Sequence, residues 1–517
     1  MSHGFKITAA LWDKIHHFAS FPQTGVSLQQ MVLFGQNPSQ GTLLKASQFL
    51  SEELPVRLAH RVKELDELPH NLSAMPSIER VKNWYAQSFD ELIQFPPLPT
   101  LSPDIRRLLF SPPSVASSNP EHQLPSSTPN PSLEHMLLVD DIANKNFPTS
   151  LDGSGSSGSL ASGSMGFYGG VNGSTSGWAI GNGNGNGNGN GNGNGNGAAV
   201  EGFNKLKLRV PMERRLISIQ TQIIFHSDWR NRYYAAPLSA NISWPPEVPD
   251  YNKRFTKMLE TIKTRHDPTV TTVAQGVLEW KRSQRARHIG LDMQQWLDRF
   301  YLSRIGIRFL IGQHIALNTQ ESHRDYVGII CTNANVHDII EEAIENARFV
   351  CEEHYALFSS PPVQLICPNN LTFPYVPGHL SHIIFELLKN SLRAVVERHG
   401  VGNEDNFPPI KVIVVEGKED ITIKISDEGG GIPRSAMGLI WTYMYTTMKL
   451  GPGEGLDEGF RDSDFKAPMA GFGYGLPLSR LYARYFGGDL RLISMDGFGT
   501  DVYIHLNRLS SSREPLP

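Results

Sequence analysis

Apolar residues recur every three or four positions through residues 28–95. Leu43, Leu44, Phe49, Leu50, Leu54 and Leu58 form one such stripe, and Val81, Trp84, Tyr85, Phe89 and Leu92 form another within 78–95. This period puts one side of each helix in a core. It resumes over 252–281, 293–316 and 337–354, in long segments with short polar connections. The pattern predicts an antiparallel helical bundle in two parts, residues 1–95 and 203–355. Past Pro361 strand-like runs mix with helices. Residues 411–416 and 421–426 read as paired strands, and 490–495 and 501–506 as a second pair around a Gly-Phe-Gly turn. Helices are expected at 379–398 and 477–486. Residues 356–510 thus form an α/β domain, with 511–517 as a tail.

Between the two parts of the bundle the pattern fails. Residues 96–202 are rich in Pro, Ser, Gly and Asn and include an alternating Gly-Asn tract over 181–197. Such a stretch buries too little apolar area to offset its ordering entropy. It reads as a disordered insertion in a loop of the bundle, with a docking loop as the competing reading. The apolar runs 217–225 and 229–234 have no assigned place.

The remaining bulk properties exclude more than they assign. A chain of 517 residues holds roughly two to three domains. A net charge of -4 gives no electrostatic reason to expect a nucleic-acid partner. Cys331, Cys351 and Cys367 lack metal-ligand spacing and are too few for a disulfide framework, which suits a reducing compartment. No apolar run is long enough to span a membrane. The N-terminus carries Lys6, Lys14, His16 and His17 against one early acid, Asp13, and leaves organelle import open.

Candidate chemistry clusters near the C-terminal end. His382, Glu386 and Asn390 are four apart and share one helix face, above a buried face of Ile383, Ile384, Leu387 and Leu388. Asn390 offers an amide oxygen suited to Mg²⁺. Glu386 can accept a proton from an attacking hydroxyl or water, and His382 can hydrogen-bond that carboxylate. Asp427 follows a strand and can accept from an adenine amino group, while Gly429, Gly430 and Gly431 let backbone approach the base. Gly471, Gly473 and Gly475 precede Pro477, a favourable first helical residue, so backbone N–H groups there suit triphosphate oxygens. Gly497, Gly499 and Thr500 close the series. The spacing is neither a dinucleotide fingerprint nor a Walker loop. Residues 446–469 read as a mobile lid, or as a plain surface loop. Each motif alone is also explained as an ordinary turn or solvated helix face. Four in this order within one domain's length point to an ATP site.

These motifs resemble the N, G1, G2 and Gly-Thr boxes of the gyrase–chaperone–histidine-kinase–MutL (GHKL) ATPase superfamily. Within it the chain is similar to the mitochondrial pyruvate dehydrogenase kinase and branched-chain 2-oxo acid dehydrogenase kinase family. The blocks 386–393, 471–488 and 489–506 carry the likeness, as do 53–58, 84–88, Arg265-His266, 274–276 and 300–308. The resemblance implies an N-terminal bundle followed by a GHKL-type α/β sandwich, and an ATP-dependent serine kinase that inactivates the decarboxylase component of a 2-oxo acid dehydrogenase complex. It implies Glu386 as general base helped by His382, and Asn390 as ligand to Mg²⁺, with K⁺ as a further cofactor. Nucleotide contacts would come from Glu386, Leu387, Leu388, Lys389, Asn390, Ser391, Leu392, Arg393, Asp427, Gly429, Gly431, Thr446, Thr447, Gly471, Phe472, Gly473, Tyr474, Gly475, Leu476 and Thr500. Tyr85, Ser88, His266, Arg304 and Arg308 would line an allosteric pocket for a small acid, where two cations and hydroxyls suit a carboxylate. A homodimer docked on a lipoyl domain, in the mitochondrial matrix, is also implied.

Two departures stand out. Lys263 occupies the place of a third pocket arginine, and the chain ends at Pro517 without the long Asp-Trp tail of the animal pyruvate enzymes. That short end and 327–332 are more like the branched-chain kinase, whereas 443–447 and the Gly471 block favour the pyruvate kinase. Two other classes stay open. A sensor histidine kinase needs an exposed acceptor histidine, for which His266 and His314 are candidates. A nucleotide-gated binding module needs no transfer chemistry.

Overall fold

Polar caps set the first helices. The Thr8 hydroxyl accepts from Leu11 N at the start of α1 (Ala9–Phe18). Ser27 and Gln30 form a reciprocal capping box at the start of α2 (Leu28–Gly35). Ser39 caps α3 (Gln40–Asp66), and Pro76 is the first residue of α4 (Pro76–Gln94). The computed structural model describes residues 5–36, 38–103, 105, 243–284, 289–321, 323–446, 473–508 and 512–516. The expected insertion lies outside the described residues from position 106 onward, as do the runs 217–225 and 229–234.

The bundle continues with α5 (Glu247–Arg265), α6 (Thr269–Gln284) and α7 (Leu291–Thr319). The single helix expected over 252–281 is thus two. Pro268 disfavours a helical residue before it, so the chain breaks at His266 and Asp267. Apolar positions run all round α7 and most of it is buried, which makes it the central helix. It packs against α3 and α5. Leu54, Leu58, Val62, Phe255, Leu259, Phe300 and Leu310 are fully buried, each contributing about 1.5–3 kcal/mol of transfer free energy.

After α7 come β1 (Tyr326–Val327), β2 (Ile330–Asn335), α8 (Val336–Tyr355), β3 (Val363–Ile366), β4 (Thr372–Tyr375) and α9 (Pro377–His399). Then follow β5 (Ile410–Glu416), β6 (Asp420–Asp427), α10 (Gly475–Tyr485), β7 (Asp489–Met495) and β8 (Gly499–Asn507). The sheet has the order β3-β5-β6-β8-β7, with β3 parallel to β5 and the other neighbours antiparallel. Strands β1-β2-β4 form a separate small antiparallel sheet. Both expected hairpin pairs form, and the helices expected over 379–398 and 477–486 match α9 and α10 closely. The periodicity of 337–354 suggests a bundle helix, but α8 makes its main packing with α9. Helix α9 packs on β6, α10 on β7 and β8, and α10 also reaches α7 of the bundle. This places the N-terminal end of α10 beside α9.

Candidate nucleotide site

Helix α9 buries Ile383, Ile384, Leu387, Leu388, Leu392, Val395 and Val396, and turns His382, Glu386 and Asn390 away from that core. Leu387, Leu388 and Leu392 therefore support the helix rather than face a ligand. Glu386 Oε1 accepts from Lys389 Nζ at 2.8 Å, and that ammonium lies 5.5 Å over the Phe385 ring. The Oε2 side lies against Gly475: a methyl group built there would overlap it. The N-terminal end of α10, where free N–H groups favour negative charge, thus abuts the carboxylate. The expected hydrogen bond from His382 to Glu386 is not made. The His382 ring instead packs edge-on against Tyr482, 5.0 Å between centroids. Burial pushes the His382 pKa below its ordinary value, opposed by Glu386 and assisted by Lys389, so the imidazole is neutral at neutral pH. Asn390 is exposed and, among the described residues, its amide makes no hydrogen bond. An exposed, unengaged amide oxygen one turn from Glu386 fits a hard cation such as Mg²⁺.

Further along α9, Ser391 donates to Asp427 Oδ2 at 2.9 Å, and Gly429 N donates to Asp427 Oδ1 at 2.9 Å. Burial raises the Asp427 pKa, while the Gly429 N–H, the Ser391 hydroxyl and the Thr500 N–H oppose the shift. Thr500 is the cross-strand partner of Asp427. The glycines are demanded by close approach. A methyl on Gly429 would lie 2.5 Å from Ala394 Cβ. Gly431 has φ +71° and leaves no room beside Met495 O. Arg398, which the sequence reading missed, ties the two loops together: its Nη1 donates to Glu428 O at 3.1 Å and its Nη2 to Gly497 O at 2.9 Å. The signal was a basic residue in the last turn of the helix that carries the site. Arg393 pairs with Glu397 at 3.0 Å.

Gly473, at φ +71°, backs onto Tyr445, which brings the phosphate-loop candidate beside Thr446. Thr447, Gly471, Phe472 and all of the expected lid over 446–469 except Thr446 lie outside the described residues. Leu476 is partly buried on α10. The Tyr474 ring points toward the bundle, 5.8 Å from Tyr301 and 5.1 Å from Tyr443. Tyr443 is tied to α7, its N–H donating to Gln294 Oε1 at 2.8 Å and its hydroxyl to Asp298 Oδ1 at 2.6 Å.

The bundle residues expected to hold an acid also converge. Tyr85 stacks on His266 with centroids 4.3 Å apart, and the Ser88 hydroxyl is 3.0 Å from His266 Nε2. Arg304 Nη2 donates to His266 O at 3.2 Å, its Nε is buried without a partner among the described residues, and Arg308 pairs with Asp267 at 2.7 Å. Arg265 donates to Ser88 at 2.8 Å, a contact the sequence reading did not include. Burial holds His266 down to about 3, opposed by the Trp84 carbonyl. His266 and His314 are each 2% exposed, so neither offers the accessible imidazole a sensor histidine kinase requires.

A helix–strand sandwich that brings a Glu-Asn helix, an Asp-Gly turn and a Gly-rich helix start together defines a GHKL-type ATPase domain. Residues 375–510 match the family model described as "Histidine kinase-, DNA gyrase B-, and HSP90-like ATPase". Residues 25–331 match "Mitochondrial branched-chain alpha-ketoacid dehydrogenase kinase". A "[Pyruvate dehydrogenase (acetyl-transferring)] kinase, mitochondrial" from Schizosaccharomyces pombe is 40% identical over 98% of this chain and 98% of its own length. The similarly named protein of Arabidopsis thaliana is 33% identical over 98% and 97%. The chain belongs to the family of mitochondrial 2-oxo acid dehydrogenase kinases, and it is an ATP-binding protein kinase.

Proposed function

We propose that this protein phosphorylates serine on the decarboxylase component of the mitochondrial pyruvate dehydrogenase complex and thereby inactivates it. The observation that carries the reading is the Glu386 carboxylate set against the N-terminal end of α10, with Asn390 exposed one turn further along α9, in a chain 40% identical over nearly its whole length to a protein named for that activity. We assign the described residues between 356 and 508 to nucleotide binding, together with α8, which packs on α9, and those of 5–95 and 243–319 to the bundle. Glu386 accepts the serine proton as the hydroxyl oxygen attacks the γ-phosphorus. The bond to the β–γ bridging oxygen breaks and ADP leaves. Asp427 accepts from the adenine amino group, and backbone N–H groups around Gly473 and Gly475 hold phosphate oxygens. Mg²⁺, held through Asn390, would spread the charge on the transferring phosphoryl group. His382 stays neutral and fixes the local field around Glu386. The bundle cluster of Tyr85, Ser88, His266, Arg304 and Arg308 takes a small carboxylate that regulates turnover. A homodimer docked on the lipoyl domain in the matrix completes the reading.

Glu386→Gln is expected to lower transfer by at least about a hundredfold while a fluorescent ATP analogue still binds. Normal phosphorylation of the decarboxylase component by this variant refutes the base assignment. A branched-chain complex is the second reading, favoured by the family model that matches residues 25–331. Labelled ATP offered with each purified complex separates the two. Loss of the label in acid would point to phosphohistidine instead of phosphoserine.

A further inference from the structure

Residues 512–516 return from the end of β8 to the bundle. Arg513 bridges Ser27, and Glu514 N donates to Val26 O at 3.1 Å. Glu514 is charged yet only 6% exposed. Both its carboxylate oxygens reach Arg57 of α3: Oε2 accepts from Nη2 at 2.8 Å, and Oε1 pairs with Nη1. Arg57 Nε donates to Glu53 at 2.9 Å, and Nη2 donates to Thr24 O at 2.7 Å. Gly306 of α7 makes room for this cluster. A methyl built on it would overlap Glu514 Oε1 and lie 3.1 Å from both Arg57 Nη1 and Tyr485 Oη. Side chains from α3, the C-terminal segment and α10 therefore converge on one glycine of α7.

Burial opposes the Arg57 charge, yet Glu514 and Glu53 raise its pKa above the ordinary value. An apolar anchor would hold the segment with less desolvation. A two-pronged guanidinium–carboxylate contact is directional, and it fixes one geometry. The geometry it fixes belongs to α10. Tyr485, the last residue of that 11-residue helix, sets its hydroxyl beside the cluster at Gly306 with no hydrogen bond among the described residues, while Gly475, the first, backs onto Glu386. The helix between them is a stiff rod about 16 Å long.

We propose that Glu514 is a positioning residue for phosphoryl transfer: through Arg57 and Tyr485 it sets the placement of α10, and through Gly475 it sets the Glu386 carboxylate. This rests on the reading of Glu386 and the start of α10 given above. In the full chain, Glu514→Gln keeps the size of the side chain and removes its charge. It is expected to lower kcat by about tenfold to a hundredfold, with the KM for ATP within about threefold of wild type. Backbone amide exchange at 475–480 rises in parallel. Tyr485→Phe removes only the hydroxyl and lowers kcat in the same direction, and the double variant falls no further than Glu514→Gln alone. A folded Glu514→Gln protein with wild-type kcat and unchanged exchange at 475–480 overturns the proposal. Should that variant fail to fold, the same two measurements on Tyr485→Phe decide it. A wild-type chain that transfers nothing to the decarboxylase component overturns the kinase reading instead, and exchange at 475–480 then decides the positioning claim by itself.

Discussion

His382 matters for its charge state. Its ring is covered by Tyr482, and burial, countered by Glu386 and aided by Lys389, keeps its pKa low. The neutral form therefore persists as pH falls through about 6.5, the value an exposed imidazole would show. A protonated His382 would add a cation beside a Glu386 already paired with Lys389 at 2.8 Å. We expect the kcat of the wild-type kinase to show no step near pH 6.5 that belongs to His382. His382→Ala should lower kcat about tenfold, keep ATP-analogue affinity, and leave the shape of the pH profile unchanged. A step near pH 6.5 that disappears in the variant would show that the imidazole titrates freely. The two neighbours that decide this outcome have unequal visibility in the sequence. Glu386 follows from the four-residue spacing, but the Lys389 contact and the missing His382 hydrogen bond depend on rotamers that spacing leaves free.

At the scale of elements, the contact between α9 and α10 is the joint on which the site depends. Gly475 lets α10 begin directly against Glu386. Gly475→Ala adds a helix-favouring residue, so folding should be kept, while the new methyl displaces the carboxylate and lowers kcat by at least about tenfold. Gly378→Ala, in the first turn of α9 with nothing among the described residues within 4 Å of the added methyl, is the control and should leave kcat unchanged. Equal activity in both variants would remove Gly475 from the site. Much of this joint was legible. Alternation gave β5, β6, β7 and β8, and the three-to-four period gave α9 and α10, because each buries one clean face. The break at Asp267 was hidden because apolar positions continue in phase on both sides of Pro268. The short strands β1 to β4 have two to six residues each and too little alternation to separate from loop. The partner of α8 was not legible either, since an amphipathic stripe states that a face is buried, not against what. Glu514 was missed for a related reason: a charged residue in a terminal segment reads as solvent-exposed.

Across the whole molecule, buried imidazoles sit at the seams. His266 stacks on Tyr85, joining α5 to α4, and Arg304 of α7 donates to its carbonyl. His314 of α7 lies against Phe255 and Thr256 of α5. His379 of α9 is enclosed by Phe309 of α7, Tyr482 of α10 and Phe486. Burial holds each of the three down to about 3. A depressed pKa contributes stability that is fully present above the unfolded value, near 6.5, and is lost as pH falls toward the folded value. Over that window the unfolded chain binds up to three protons at these rings that the folded chain refuses, and His382, also held down by burial, acts in the same direction. These three alone lower stability by at most about 4 kcal/mol per pH unit. Folded proteins hold only about 5–15 kcal/mol in reserve, so unfolding is expected about two to three units below pH 6.5. Asp427, whose pKa is raised by burial, works the other way: its contribution is fully present below its unfolded value and lost as pH rises through the folded one. It therefore softens only the acid end of the decline. Urea titrations at a series of pH values measure the slope directly. Replacing His314 by Asn, which keeps a polar group near Thr256, removes one of these sites and should reduce the slope by about a quarter to a third. A stability that stays level between about pH 6.5 and 4.5 would mean that these rings reach water and take up protons without opening the seams.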